Sequence, residues 1–314
     1  MQDELLKNKV SKLFYQRGLS KKEIGEKLRL SRFKVAKLLE DALKEGMVNI
    51  NIREIKGTYL DLEDALEEKF KIYGAVVTET SIDDDSTKKN IGKAAAGRLI
   101  DMVYDNDVIG VAWGTTIFEM VNALPNYVER KNITVVQLTG GSNQVSSEIN
   151  ASELTRRMSK IFNSKSYYLH APAILNSEEA KNILLSETDI KNTFEEFIKI
   201  NIAVVGIGSI KPEPSTILYR DGFISKIDFE SILGSCAVGD INSYFYDKDG
   251  NKCSTALDNR VIGMNLDQIR RVRYVIGVAG GDRKIGAIYG ALKGKIINLI
   301  VIDHETAEKL LKIE

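Results

Sequence analysis

Four short apolar runs in this 314-residue chain end in glycine and small polar residues of a kind that can hold an anion. Trp113-Gly114-Thr115-Thr116 follows DVIGVA and opens a helical pattern, so uncapped helix amides and two hydroxyls could cradle a phosphate there. Thr139-Gly140-Gly141-Ser142 follows ITVVQL, and Gly206 and Gly208 close NIAVVGIGS. Gly280-Gly281-Asp282-Arg283-Lys284 follows YVIGVA and opens another helix, where Lys284 would add a full charge to the amides. Glycine after a strand is most often only a turn. Two phosphate-type turns in one sheet, taken together, point to a phosphorylated small molecule. Neither run is a nucleotide fingerprint: GIGSIKP lacks the third glycine and meets Pro212, and the lysine of VAGGDRKIG is misplaced for a P-loop.

A second constellation lies near the N-terminus, in LSKKEIGEKLRLSRFKVAKLLEDALKEGMVNINI (19–52), which has the pattern of a helix-turn-helix followed by a short wing. Ser20 and Glu23 form a capping box, and Ser31 can cap the second helix. Ile24, Leu28, Val35, Leu38 and Leu39 supply the buried stripe, seated on an earlier helix from Leu5 to Arg17 through Val10, Leu13 and Phe14. Arg32, Lys34 and Lys37 are left pointing outward, and cations beside a small hydroxyl at a helix's leading end suit the major groove. The candidate DNA contacts are therefore Ser20, Ser31, Arg32, Lys34 and Lys37, with Arg29 facing phosphate or solvent. The alternative is a helical hairpin with a solvated basic face. Charge partition argues against it. Residues 1–58 hold ten Lys and four Arg against eight acids, net +6, while the rest holds 30 bases against 36 acids, net −6. A basic head on an acidic body is expected where one module alone approaches a polyanion.

The elements that must position these residues follow from periodicity. GAVVTET, DVIGVAW, ITVVQLTGG, NIAVVGIGS, YVIGVAGG and INLIVID alternate with helical stretches such as 86–103, 115–124 and 153–161. Near-continuous apolar strands with helical crossovers require a parallel sheet covered on both faces, so the fold class is α/β, doubly wound. The expected domains are residues 1–56 and 57–314. In the helix that opens the second, Leu60, Leu62, Leu66 and Phe70 form a seam for internal packing or a dimer contact. Trp113 reads as a core aromatic, Asp247 and Asp249 as turn formers in a hairpin, and Arg270, Arg271 and Arg273 as a solvated helix end. No run reaches the roughly 20 apolar residues of a membrane span, and MQDELLKNKV is no secretory signal. Cys236 and Cys253 have no metal-ligand spacing and read as small packing groups in a reduced, cytoplasmic setting; with His170 and His304 far apart, neither a metal site nor a catalytic triad is expected.

With those segments in hand, the chain resembles the SorC/DeoR-type sugar-binding transcriptional regulators of bacteria nearly end to end, closest in pattern to the deoxyribonucleoside regulator branch. The resemblance is carried by LSKKEIGEKLRLSRFKVAKLL, IGKAAAGRLIDMVYDNDVIGVAWGTT, VVQLTGG, NIAVVGIGS, CAVGDINSYFYDKDGN and VAGGDRKIGAIYGALKGKIINLIVID. It implies a winged helix-turn-helix joined to an effector domain like ribose-5-phosphate isomerase and glucosamine-6-phosphate deaminase. It also implies operator DNA and a phosphorylated sugar as partners, a homodimer or homotetramer, no cofactor and no catalysis. On that resemblance Gly114, Thr115 and Thr116 hold a phosphate, Gly140, Gly141 and Asn150 line the sugar, Asp240 accepts from sugar hydroxyls, and Lys284 pairs with phosphate; Thr139 and Gly281, from the same strand-end turns, complete the candidate effector contacts. Asn150 and Asp240 enter by resemblance alone. Family members can carry a basic side chain where this chain has Thr139, so no imine can form there and a second phosphate loses a bidentate partner, which favours a monophosphate held noncovalently. The competing class is a sugar-phosphate isomerase or deaminase with an added helical head, in which Asp240 near Lys284 would supply base and charge.

Overall fold

A computed structural model describes residues 2–51, 57–142, 146–210 and 224–314, and the chain divides into two compact units, Met1–Lys56 and Gly57–Glu314. In the first, α1 (Gln2–Ser11) runs into a wider π turn, Lys12–Gln16, and is followed by α2 (Lys21–Leu28) and α3 (Arg32–Lys44). The Ser20 box is fully made: Glu23 N donates to Ser20 Oγ at 3.2 Å and Ser20 N to Glu23 Oε2 at 2.8 Å. Helix α2 stops at Arg29, which adopts a left-handed conformation, and Ser31 Oγ caps α3 by accepting from Lys34 N at 3.1 Å. Gly25 makes the close α2–α3 turn possible, because a Cβ there would lie 2.6 Å from the Leu30 carbonyl oxygen. Val10, Leu13, Ile24, Val35, Leu38 and Leu39 form the buried centre. Lys7 ties α1 to the end of α3 through both carboxylate oxygens of Glu45, at 2.6 and 2.7 Å. The expected wing falls on residues of which 47–51 form no strand and 52–56 lie outside the described residues.

The second unit is built, in chain order, from α4 (Leu60–Phe70), β1 (Gly74–Thr78), α5 (Asp84–Met102), β2 (Val108–Val111), α6 (Thr115–Ala123) and β3 (Thr134–Gln137). There follow α7 (Ala151–Ile161), β4 (Lys165–Tyr167), α8 (Glu178–Ser186), α9 (Thr188–Glu196), β5 (Ile202–Gly206) and β6 (Gly208–Ser209). Beyond them come α10 (Lys226–Gly234), β7 (Gly239–Ile241), β8 (Tyr244–Tyr246), α11 (Leu266–Arg270), β9 (Tyr274–Val278), α12 (Ile285–Lys293), β10 (Leu299–Asp303) and α13 (His304–Lys312). Seven strands form one parallel sheet in the order β1-β10-β9-β5-β2-β3-β4. Ile202, Ala203, Val204 and Val205 of β5 are all fully buried, as a sheet covered on both faces demands. From β2 the chain steps through β3 to β4, then returns to lay β5 on the other side of β2 and continues to β9 and β10. The direction of winding therefore reverses between β2 and β5, where open sheets leave a crevice beyond the strands' carboxyl ends.

A small antiparallel sheet, β6-β7-β8, grows from the end of β5 and pairs Gly208 with Asp240. Its first hairpin turns on Asn242 and Ser243, both at positive φ (52° and 65°), the backbone of a two-residue type I′ turn. A second reversal at Asp247–Asn251 brings Lys252 back beside Tyr246. In α4, Leu66 and Phe70 pack into the core, Leu62 is half-buried and Leu60 stands exposed. Among the described residues no helix is long and apolar enough to cross a membrane.

Candidate functional site

The crevice between β2 and β5 is an open hollow of about 600 Å³. Gly114 leads from β2 into α6 at φ 132°, ψ 160°, a conformation that glycine tolerates far better than any other residue, and no side chain caps the helix. The first amides of α6, from Thr115, Thr116 and Ile117, have no partner within the helix, and the positive end of its dipole faces the hollow. Gly206 and Gly208 form the β5 side, where a Cβ on Gly206 would meet the Trp113 carbonyl oxygen at 3.2 Å. Trp113 belongs to the core and also borders the hollow. Asp240, 6% exposed, enters from β7, and Lys284 from the turn after β9. These two are the hollow's ionisable lining groups among the described residues.

Lys284 is half-buried, and loss of water around its amine, aided by the charge of Lys88, pulls it down to about 8, with Asp240 opposing the shift. Such a group gains most from an anion that enters and restores its charged form. Gly281 sits at the base of the same turn rather than on the lining, at φ 95°. Its amide donates to Asp303 Oδ2 at 2.9 Å and is 2.8 Å from Thr306 Oγ1. Asp303, buried at the end of β10, also accepts from Thr80 Oγ1 at 2.9 Å and from Thr306 N at 3.1 Å. That fully bonded carboxylate fixes the turn carrying Lys284.

Gly114, Thr115, Thr116, Asp240 and Lys284 therefore share one hollow. Gly141 and Asn150 border a separate one beyond β3, with Gln137, Ser142 and His170. Asn150 Nδ2 donates to the Ser142 carbonyl oxygen at 2.7 Å, bridging the ends of a segment whose residues 143–145 lie outside the described ones. Gly140 and Gly141 spend their amides on the Ile262 and Ala171 carbonyl oxygens, both at 2.9 Å, so neither can offer one to a sugar. A Cβ on Gly140 would strike the Ala171 carbonyl oxygen at 2.7 Å, so that glycine serves packing. Thr139 is 0% exposed and lines neither hollow. Instead of ending at β3, the chain bridges onward to Gly263, which turns the Thr139 side chain inward.

Sequence reasoning passed over Asn242, which borders the hollow and is 3% exposed. Its Nδ2 donates to the Met264 carbonyl oxygen at 3.3 Å, while among the described residues its Oδ1 meets no donor. The signal was the Asn-Ser pair between GDI and YFY, a hairpin turn by spacing. In the first unit Ser20, Ser31, Arg32, Lys34 and Lys37 are all exposed. Both serine oxygens accept in caps and keep a hydroxyl hydrogen to donate. Phe33, 79% exposed between Arg32 and Lys34, is a second residue passed over. Its signal was an aromatic standing off the apolar stripe of α3.

A hollow of this kind at the switch point of a parallel sheet, with a helical unit ahead of it, defines an α/β ligand-binding body with a helical head. The family model described as "Putative sugar-binding domain" matches residues 56–312. The chain is 33% identical over 303 residues to the deoxyribonucleoside regulator of Bacillus subtilis (strain 168), covering 96% of this chain and 95% of that one. Against the crystal structure of the full-length sorbitol operon regulator SorC from Klebsiella pneumoniae, the TM-score is 0.78 at 27% identity, with 99% of each chain covered. A DeoR family transcriptional regulator from Listeria monocytogenes gives 0.73 at 30% identity, covering 80% of this chain and 98% of that one. The chain belongs to the SorC/DeoR-type family of sugar-binding transcriptional regulators. It is a regulator, not an enzyme, since these relatives are named as regulators across nearly their whole length.

Proposed function

We propose that this protein is a cytoplasmic, operator-binding repressor of a carbohydrate or nucleoside catabolic operon, controlled by a phosphorylated sugar. One observation carries the effector reading: the open amide end of α6, the half-buried Lys284 and Asp240 converge on a single hollow at the sheet's switch point. An anion is met by amides and an ammonium, and hydroxyls by a carboxylate and by Asn242 Oδ1. The plan is that of a sugar-phosphate isomerase fold put to binding. With Thr139 buried and no amine in its place, a monophosphate held noncovalently fits best. Gly141, beyond the end of the adjacent strand β3, and Asn150, at the head of α7, would reach only an extended ligand.

Residues 1–56 act as the helix-turn-helix head: Arg32, Lys34 and Lys37 meet phosphates and base edges, Ser20 and Ser31 donate to phosphates, and Phe33 offers an apolar face to a thymine methyl. A homodimer or homotetramer would set two heads on operator half-sites. Ligand must favour one arrangement of heads, by roughly 1–3 kcal/mol of coupling. A gel-shift titration of operator DNA with a panel of sugar phosphates and their unphosphorylated sugars tests this. Release by one phosphorylated sugar and by none of the free sugars is expected. Retention throughout would overturn the effector assignment.

A further inference from the structure

We infer that Cys236 and Cys253 are a redox pair, able to form a reversible intramolecular disulfide that fastens the small sheet beside the hollow. They stand 17 residues apart in the chain, yet their sulfurs lie 2.8 Å from each other, in contact but not bonded. The hairpin reversal at Asp247–Asn251 brings them together by carrying the chain leaving β8 back along its own edge. Cys253 N donates to the Phe245 carbonyl oxygen at 2.9 Å, and Phe245 pairs across the ladder with Asp240. Cys236 leads directly into β7, four residues before Asp240. A bond between the sulfurs would thus join the entry of β7 to the exit of β8 and brace the strand that holds Asp240.

The two positions differ in access, which sets the order of events. Cys236 is exposed and Cys253 is buried, so an oxidant reaches Cys236 first. With a peroxide as oxidant, the Cys236 thiolate attacks one peroxide oxygen, the O–O bond breaks, and a sulfenic acid and hydroxide form. The Cys253 thiol then attacks the Cys236 sulfur as its thiolate, the S–O bond breaks, and the leaving hydroxide takes the proton. The sum is two thiols and one hydrogen peroxide giving one disulfide and two waters. A dithiol reductant reverses it by exchange.

The chain contains no other cysteine, so counting thiols reads the reaction without ambiguity. Reduced full-length protein, freed of reductant, is treated with stoichiometric hydrogen peroxide and followed by thiol titration, intact mass and a non-reducing gel. Both thiols should vanish, the mass should fall by two hydrogens, the chain should stay monomeric on the denaturing gel, and dithiothreitol should restore both thiols. Cys253→Ser should stop the reaction at a sulfenic acid on Cys236, trapped by dimedone, whereas Cys236→Ser should leave Cys253 unreacted. Persistence of both thiols, disulfide-linked dimers, or a gain of two oxygens on wild-type Cys236 would each overturn the proposal.

Discussion

The two units carry their cations in opposite ways. The first, residues 1–56, sets Arg32, Lys34 and Lys37 in open water around a core of six side chains. The second, residues 57–314, withdraws a single cation, Lys284, into a hollow where loss of water holds it near 8. Exposed charges act over distance, are screened by salt and suit a polymer with many phosphates. A half-desolvated amine beside uncapped helix amides suits one small anion and strengthens as water leaves. Charge count alone sees only the first arrangement, since the unit with the hollow is net acidic.

Substitution at Lys284 should separate the two most sharply. Lys284→Met should weaken sugar-phosphate binding by about 100-fold, the cost of roughly 2–3 kcal/mol for a charge-assisted partner. Operator affinity without ligand should be unchanged; calorimetry for the ligand and fluorescence anisotropy for the DNA read both. Arg32→Ala and Lys34→Ala should do the reverse. Each should cost about tenfold in operator affinity, and loss of a phosphate contact should flatten the salt dependence by about one unit of slope. Ligand titration of the same variants should match wild type, and a parallel loss there would show that the separation is false.

The pH dependence sharpens the contrast further. Above about 8 the unliganded protein loses the Lys284 charge, so sugar-phosphate affinity should fall by up to about tenfold per pH unit. Since the folded-state value lies below the ordinary 10.5, the unfolded chain binds the extra proton between about 8 and 10.5. This group's contribution to folding therefore rises with pH across that window. A pH series of ligand titrations checks the first statement. The smallest effect belongs to the head: Ser20→Ala should cost about 1 kcal/mol of its stability by removing the cap. Thermal melting should show that loss with ligand affinity intact.

How much of this was legible depended on whether a residue's role was local. The capping box at Ser20 and Glu23, the stripe Ile24–Val35–Leu38–Leu39 and the glycine at the head of α6 are set by neighbours in sequence, and the structure shows them so. The parallel sheet followed from near-continuous apolar runs whose central residues are buried, as in Ile202–Val205 of β5 and all of β10. Thr139 and Gly140 failed as open lining because the chain bridges on past β3 to Gly263, a long-range pairing that no local pattern encodes. Asp240 entered by resemblance, since its place depends on β7 pairing back onto β6. The contact between Cys236 and Cys253 was invisible for the same reason: it depends on how β7, β8 and the reversal at Asp247–Asn251 pair with one another, which the spacing of the two cysteines does not reveal. Strand β4, KSY at the sheet edge, is too short and too polar to announce itself.

The most direct test of the central claim is hydrogen exchange across the whole chain, with and without the sugar phosphate that releases operator DNA. The amides at the head of α6, residues 115–117, and the turn at 281–284 should slow markedly on ligand addition. Release of operator with those segments unchanged and protection elsewhere would contradict the assignment of this hollow as the effector site.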